Sequence, residues 1–185
     1  MNFVTIETSR LLLKGISSEV MHNIFSTLSK PAIKELLGHR TEEDYLQEEH
    51  KFKNGYSSYN RRFLLFLLID KELNVIIGRC GIHNWNADHK RAEIGYNMLD
   101  ESYKRKGLMT EAVSSIIDYG FNQLKLHRLE ALVGINNIAS LKIMVRFDFV
   151  NEGLLRQHYY IDGKYEDSIM FSIISDEYKK KKRNS

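Results

Sequence analysis

Residues 103–112 constrain this chain more than any other stretch. They begin with a tyrosine, three consecutive cations and a glycine, and then run into a segment whose apolar residues recur with a 3.6-residue period. The alternating run at 92–99 precedes them and is typical of a strand. The sequence therefore predicts a strand, a glycine-bearing loop and the start of a helix. The apolar face of that helix consists of Leu108, Ala112, Val113, Ile116, Ile117, Phe121 and Leu124.

The loop before this helix is predicted to bind a pyrophosphate. Free N–H groups and the positive dipole end at a helix N-terminus favour an anion. Lys104, Arg105 and Lys106 add positive charge, and Gly107 allows the backbone to approach closely. The loop matches neither Gly-x-x-x-x-Gly-Lys-Ser/Thr nor Gly-x-Gly-x-x-Gly, so it is not one of the common nucleotide-binding loops. A solvated turn explains these residues about equally well, so the interpretation depends on the rest of the chain.

Composition bounds the class of protein. A chain of 185 residues with 43% hydrophobic and 28% charged residues is typical of one globular domain with a sizeable core. No apolar run approaches the ~20 residues of a membrane span, and no secretion signal is evident, so we expect no membrane association. Cys80 is the single cysteine, which excludes an internal disulfide and indicates a reducing, cytoplasmic location. The seven histidines show no metal-ligand spacing, so we expect no metal site.

The net charge of +3 is concentrated at one end of the chain. Five of the 27 basic residues lie at 179–183, and the rest of the chain has 22 basic and 24 acidic residues. A nucleic-acid-binding protein usually has its positive charge on a structured face, so we expect no direct nucleic-acid binding. The sequence predicts a single domain over residues 1–178, followed by a basic, disordered tail at 179–185.

The first third of the chain is predicted as one strand and two or three helices. The strand spans residues 5–16, and Ser17 lies in a helix-capping pattern directly after it. Pro31 suits the first turn of a second helix, which Gly38 ends. An acidic start predicts a third helix at 41–53.

The remainder of the chain is predicted as strands with two helices between them. Residues 63–69 and 75–82 are expected to form an antiparallel hairpin. Strand, helix and strand in succession form a βαβ unit, so the strands at 92–99 and 128–133 should be parallel. The last elements are predicted as a helix at 136–147 and strands at 149–155, 159–161 and 168–174.

Four passages of the chain, in this order of elements, resemble the GNAT N-acetyltransferase superfamily. The resemblance is greatest to the branch of ribosomal-protein N-terminal acetyltransferases of the RimJ/RimL type. It implies an α/β (α+β) fold with a mixed, mostly antiparallel sheet of about seven strands. Helices should cover both faces, and a splayed parallel pair should lie at the cofactor site. The passages are residues 7–13, 92–96, 107–112 and 137–153.

This resemblance implies a reaction and the residues that bind its donor. The reaction is direct transfer of an acetyl group from acetyl-CoA, the cosubstrate, to a primary amine. Residues near the end of the fourth strand should bond pantetheine, the loop should hold the pyrophosphate, and the following helix should contact the other side. The implied cofactor-binding residues are Met98, Leu99, Lys104, Arg105, Lys106, Gly107, Leu108, Met109, Thr110, Asn137 and Ser140.

The sequence departs from the family at four positions. Lys104 and Met109 stand at the first and last places of the loop pattern, and Asp148 replaces a helix-ending glycine. Met144 occupies the place where many relatives have a tyrosine that protonates the leaving thiolate.

The catalytic residues are therefore less well defined. Ser140 is the remaining candidate proton donor, although a helix-capping role explains it as well. Glu93 is the candidate general base, with a surface strand position as its alternative. His158 is the candidate near the substrate, with an exposed polar histidine as its alternative.

The acceptor is predicted from the basicity of amines. An α-amine has a pKa of about 7.7–8.0 and a lysine side chain about 10.4, so a neutral lysine costs about 3.5 kcal/mol more at neutral pH. A site without a strong base therefore favours a protein N-terminal α-amine. Two alternatives remain, an enzyme for a small amine (a polyamine, amino sugar or antibiotic) and a non-catalytic acyl-CoA-binding module. The sequence does not determine the oligomeric state, and a homodimer is one of the states that it allows.

Overall fold

The computed structural model describes residues 2–55 and 62–184, and within those ranges one eight-stranded sheet has helices on both faces. The strands are β1 Val4–Glu7, β2 Leu11–Ser17, β3 Arg62–Asp70, β4 Val75–Asn86, β5 Arg91–Met98, β6 Arg128–Gly134, β7 Val150–Ile161 and β8 Lys164–Ile174. The helices are α1 Ser18–Thr27, α2 Lys30–Leu37, α3 Glu42–Asn54, α4 Leu108–Asn122, α5 Ile138–Arg146 and α6 Ser175–Asn184, with a 3₁₀ turn at Glu101–Tyr103.

The sheet has the order β1-β2-β3-β4-β5-β6-β8-β7, and its one parallel pair is β5 with β6. Among the described residues the pairing of these two strands stops at Glu93 and Glu130. Both strands continue beyond that point, to Met98 and Gly134, so they diverge. The predicted parallel pair, its splay and the helices on both faces are confirmed.

Alternating side chains of the sheet form a core on each face. Leu64, Phe66 and Leu68 of β3 pack in the core that contains α4, whereas Leu67 packs with α1, α2 and α3. Helix α4 buries the apolar face that the sequence predicts, since its described positions from Leu108 to Phe121 on that face are inaccessible to solvent. This packing fixes the start of α4 against the middle of the sheet.

Two predicted strands have different bounds in the structure. The strand predicted at 5–16 is divided into β1 and β2, because the backbone N–H of Thr8 donates to the carbonyl of Leu11 (2.9 Å) and closes a turn. The segments predicted at 149–155 and 159–161 form the single strand β7, with an irregularity at Gln157. The described part of the sheet has eight strands, where about seven are expected, because the first predicted strand is two strands.

The disordered tail predicted at 179–185 is wrong for residues 179–184, which belong to α6. Tyr178 anchors this helix, because its buried ring stacks on Phe121 (4.6 Å between centroids) and its hydroxyl donates to Asp118 (2.8 Å). The ammonium of Lys182 then pairs with the same carboxylate (3.0 Å). The basic residues thus lie in the last turns of a helix, where the helix dipole favours cations.

The described ranges contain no helix that is long and apolar enough to cross a membrane. Among the same residues, no three His, Cys, Asp or Glu side chains are arranged so that they could hold a metal ion.

Candidate active site

Helix α4 begins with the backbone geometry of an anion site. Gly107 precedes its first residue in the left-handed conformation (φ 79°), which glycine adopts without strain. The first bond of the helix runs from the N–H of Glu111 to the carbonyl of Gly107 (3.0 Å). The N–H groups of residues 108–110 therefore point out of the helix start, where they can bind a phosphate.

A turn from the other end of the chain holds this helix start in place. Glu111 accepts hydrogen bonds from the hydroxyls of Thr8 (2.6 Å) and Ser9 (3.1 Å), and from the backbone and side chain of Arg10 (both 2.8 Å). Burial alone raises the pKa of Glu111, but these hydrogen bonds outweigh it and lower the pKa to about 2. Glu111 is thus an ionised anchor of the phosphate loop.

A cavity of about 460 Å³ lies between the start of α4, the end of β5 and α5. Its β5 residues lie beyond Glu93, where the pairing with β6 has ended. Nine of the predicted cofactor-binding residues line it: Met98, Lys104, Arg105, Gly107, Leu108, Met109, Thr110, Asn137 and Ser140.

A second cavity, of about 720 Å³, lies on the other side of β5 and is lined by residues of α1, α3, β3, β4 and β5. Tyr96 and Asn97 line both cavities. The two cavities thus adjoin at these two residues of β5. We call them, after the roles proposed below, the cofactor cavity and the acceptor cavity.

Glu93 lies buried beside the acceptor cavity, with an exposed fraction of 9%, so the surface alternative does not hold. Its carboxylate contacts Nε2 of His83 (3.2 Å) and accepts a hydrogen bond from the side chain of Asn84 (2.9 Å). Burial raises the pKa of Glu93, but these two contacts, together with the charge of His158, outweigh it and lower the pKa. The carboxylate is therefore ionised at neutral pH.

The sequence matches the acetyltransferase (GNAT) domain over residues 10–150. The chain belongs to the GNAT acetyltransferase family. The uncharacterized N-acetyltransferase YoaA of Bacillus subtilis (strain 168) is 31% identical over 173 residues, which cover 93% of this chain and 97% of YoaA. The protein is thus an N-acetyltransferase, and enzymes of this family use acetyl-CoA.

Relatives in the GNAT family differ in their acceptors. The solved structure of a ribosomal-protein-S5-alanine acetyltransferase from Vibrio fischeri has a TM-score of 0.67 and 26% identity, covering 95% of this chain and 98% of that one. A spermidine N(1)-acetyltransferase of Escherichia coli (strain K12) is 33% identical over 93 residues, half of each chain. Membership of the family therefore does not decide between a protein and a small amine as the acceptor.

Two of the residues predicted to bind the cofactor do not line the cofactor cavity. The N–H of Leu99 donates to the carbonyl of Ile77 (2.9 Å), because the chain still follows β4 here, so it is not available to pantetheine. Lys106 lies on the opposite side of the loop, with its ammonium over the ring of Tyr103 (5.6 Å), and its carbonyl accepts a bond from Arg10. Lys106 therefore contributes its backbone to the loop.

Sequence reasoning missed two cations of the cofactor cavity, Lys142 and Arg146 of α5. Their spacing of four residues places them on one helix face, and this was the available signal. With Lys104 and Arg105 they make the cavity mouth strongly positive, which suits phosphate groups.

Ser140 faces Tyr96, a residue that sequence reasoning missed. The N–H of Ser140 donates to the side chain of the N-cap residue Asn137 (3.1 Å), which leaves its hydroxyl directed to the cavity. Burial raises the pKa of Tyr96, and the nearby Ser140 hydroxyl lowers it by less. In the described part of the chain, the Tyr96 hydroxyl has no partner of normal hydrogen-bond geometry. Met144 lies wholly in the core, outside this group.

His83 lies between Glu93 and the acceptor cavity, which it lines. The imidazole of His83 fits in this position because Gly95 has no side chain. A Cβ at position 95 would lie only 2.9 Å from Cε1 of the imidazole. His83 pairs with Glu93 across β4 and β5, so only the strand register could have predicted it. His158 lies close enough for its charge to affect Glu93, but it lines neither cavity, and its ring packs on Tyr159 (4.5 Å).

Proposed function

We propose that the protein transfers an acetyl group from acetyl-CoA to the α-amine of a peptide or protein N-terminus. One observation carries this proposal: the acceptor cavity is lined by His83, an imidazole that Glu93 holds through Nε2 (3.2 Å). An imidazole is a weak base. It suits an α-amine, which loses its proton about 3.5 kcal/mol more easily than a lysine side chain at neutral pH.

The cofactor cavity has the groups that acetyl-CoA needs. The N–H groups of residues 108–110 and the side chains of Lys104, Arg105 and Arg146 would hold its phosphates. Bound there, acetyl-CoA supplies a thioester carbonyl and a thiolate leaving group. A neutral amine forms the new N–C bond as the C–S bond breaks, so one proton must leave the amine and one must reach sulfur.

His83 is proposed as the group that takes the amine proton. Its Nε2 faces Glu93, and a proton on that nitrogen leaves Nδ1 as the acceptor. Glu93 then fixes the ring and stabilises the imidazolium that forms, so it acts as a positioning residue. Asn84 holds the other carboxylate oxygen of Glu93 (2.9 Å) and completes the arrangement.

Ser140 and Tyr96 are proposed to protonate the thiolate. Their hydroxyls lie together on the side where the cofactor and acceptor cavities meet. The Tyr96 hydroxyl lies near that of Ser140, and a hydrogen bond that tightens between them when acetyl-CoA binds would pass a proton through Ser140. This pair takes the place of the tyrosine that is absent at Met144.

The acceptor is tested by following thiol release from acetyl-CoA with matched amines. One peptide has a free α-amine and acetylated lysines, a second has a blocked α-amine and one free lysine, and spermidine and an amino sugar complete the panel. We expect the first peptide to react fastest at pH 7, with mass spectrometry locating the acetyl group on its N-terminus. Equal rates on both peptides, or a preference for spermidine, would overturn the proposal. Binding of acetyl-CoA without thiol release from any amine would instead indicate a non-catalytic module.

A further inference from the structure

We propose that the acceptor cavity selects an α-amine that has a carboxylate close to it, as an acidic protein N-terminus does. This inference rests on the proposed function and names the chemistry of its substrate. It is carried by the charges that line the acceptor cavity, and these are distinct from the groups that serve the proton transfers.

Cations outnumber carboxylates in the described lining of this cavity. Lys51, Arg62 and Arg79 line it, and Glu48 is the single carboxylate among the described lining residues. Glu48 is buried and accepts a hydrogen bond from Arg79 (3.0 Å), while the ammonium of Lys51 lies 4.0 Å away. One carboxylate thus faces three cations, so the cavity has a surplus of positive charge.

Arg79 brings part of this charge to the place of reaction. It pairs with Asn97 across β4 and β5, and Asn97 lines both cavities. Its two terminal nitrogens donate to Glu48 and to the carbonyl of Leu37 (3.1 Å). Its Nε is buried and has no acceptor among the described residues. Glu48 offsets much of the charge of Arg79. The surplus that an acceptor meets is therefore that of Lys51 and Arg62.

Arg62 and Lys51 are the cations that an acceptor meets first, because both side chains are exposed. Arg62 lies over the ring of Trp85 (5.9 Å), which restrains its guanidinium at the cavity wall. Guanidinium groups bind carboxylates with paired hydrogen bonds.

The cavity wall thus offers an acceptor both kinds of contact. His83, backed by Glu93, can take the amine proton, and Lys51 and Arg62 can pair with a carboxylate. Arg62 pairs with Trp85 of β4, two residues beyond His83, so the cation and the imidazole lie at the same end of the strands. An acceptor with an amine and a nearby carboxylate matches this arrangement. A polyamine places a second cation against Arg62 and Lys51, where like charges repel.

The experiment compares three peptides that differ in the charge of their second and third residues. Their N-termini are Ser-Glu-Glu, Ser-Gln-Gln and Ser-Lys-Lys, and the lysines of the last are dimethylated. For each peptide, kcat/KM is measured from thiol release. We expect the acidic peptide to exceed the neutral one by about tenfold, and this ratio to fall as salt screens the charges. In the variant with both Lys51→Glu and Arg62→Glu, the order of the acidic and basic peptides should reverse. The KM for acetyl-CoA should stay unchanged, which shows that the variant is folded.

Lys53→Glu is the matched control, because Lys53 lies on the same helix and pairs with Glu49 (2.8 Å) outside the cavity lining. It should leave the order of the peptides unchanged. Equal kcat/KM for all three peptides would overturn this inference and leave the proposed function standing. Acetylation of spermidine with no reaction of any peptide would overturn both. The dipeptide Ser-Glu is measured as well, to distinguish a protein acceptor from a small molecule. If its kcat/KM is higher than that of the longer acidic peptide, the same charge selection is assigned to a small acidic amine.

Discussion

The ion pair between Arg10 and Glu111 (2.8 Å) joins two parts of the chain that are a hundred residues apart. Arg10 lies in the turn between β1 and β2, and Glu111 lies in the first turn of α4. The same guanidinium donates to the carbonyl of Lys106 (2.9 Å), which immediately precedes Gly107. The phosphate loop is therefore held from outside, so its shape depends on a residue that does not itself line the cofactor cavity.

Glu111→Gln should weaken the binding of acetyl-CoA. The amide keeps the size of the side chain but loses the charge that Arg10 and three further donors share. Loss of one charged hydrogen-bond partner costs about 1.5–3 kcal/mol, so we expect the KM for acetyl-CoA to rise by about tenfold or more. Glu35→Gln, at an exposed position of α2, is the control and should leave this KM unchanged. A KM that is the same in both variants would contradict the role of Glu111.

The same carboxylate makes the stability of the fold sensitive to acid. The pKa of Glu111 is about 2 in the folded protein, whereas its ordinary value is 4.5, so the folded state favours the ionised form. The stabilisation is fully present above pH 4.5 and is lost as the pH falls towards 2. Urea unfolding of the natural protein at pH 7, 5, 4 and 3 should therefore show a steeper loss below pH 5 than Glu111→Gln shows. Parallel curves for the two proteins would exclude this contribution.

The sequence predicts the helix start and the parallel strands because both depend on local patterns. The 3.6-residue period and Gly107 are enough to place α4 and its loop. The position of Leu99 depends on a bond across the sheet to Ile77, and that of His83 on its register with Glu93. Neither relation is visible in a single stretch of sequence, so Leu99 is predicted at a cavity that it does not line, and His83 is overlooked.

The structure also explains why the chain can depart from the family pattern at Asp148, and the reason is again a contact with a distant part of the chain. Asp148 adopts the left-handed conformation (φ 56°) that the glycine of relatives would take, and its carboxylate pairs with Lys181 (2.6 Å). The helix end is therefore kept without glycine, at the cost of some backbone strain. The partner lies in α6, in the run that composition alone assigns to a disordered tail.

Gly95→Ala should lower the rate of transfer without unfolding the protein. The added Cβ would lie 2.9 Å from Cε1 of His83, so the imidazole must move away from Glu93. If His83 accepts the amine proton, we expect kcat to fall by about 10²-fold. The KM for acetyl-CoA should change little, because the cofactor cavity is not altered. His83→Gln should cause a loss of similar size, whereas His89→Gln, at an exposed turn, should not.

A chain that ends at Tyr178 should keep its affinity for acetyl-CoA. The deleted residues contribute three exposed or partly exposed ion pairs, Lys179 with Asp176, Lys181 with Asp148 and Lys182 with Asp118. Exposed pairs contribute about 0–1 kcal/mol each, so Tm should fall by about 2–6 °C while the KM for acetyl-CoA stays within about threefold. A calorimetric scan and a titration with acetyl-CoA measure the two quantities. A large rise in KM would instead place α6 in the cofactor site.

Tyr96→Phe separates a role in proton transfer from a role in packing. The hydroxyl of Tyr96 is buried and has no partner of normal geometry among the described residues, so its removal should leave the free energy of unfolding unchanged or slightly higher. If the hydroxyl passes a proton through Ser140 to sulfur, kcat should nevertheless fall by about 10²-fold. Ser140→Ala should produce a similar loss, and the double variant should lose little more, because both changes interrupt one path. A Tyr96→Phe enzyme with the natural kcat would leave Ser140 as the sole donor.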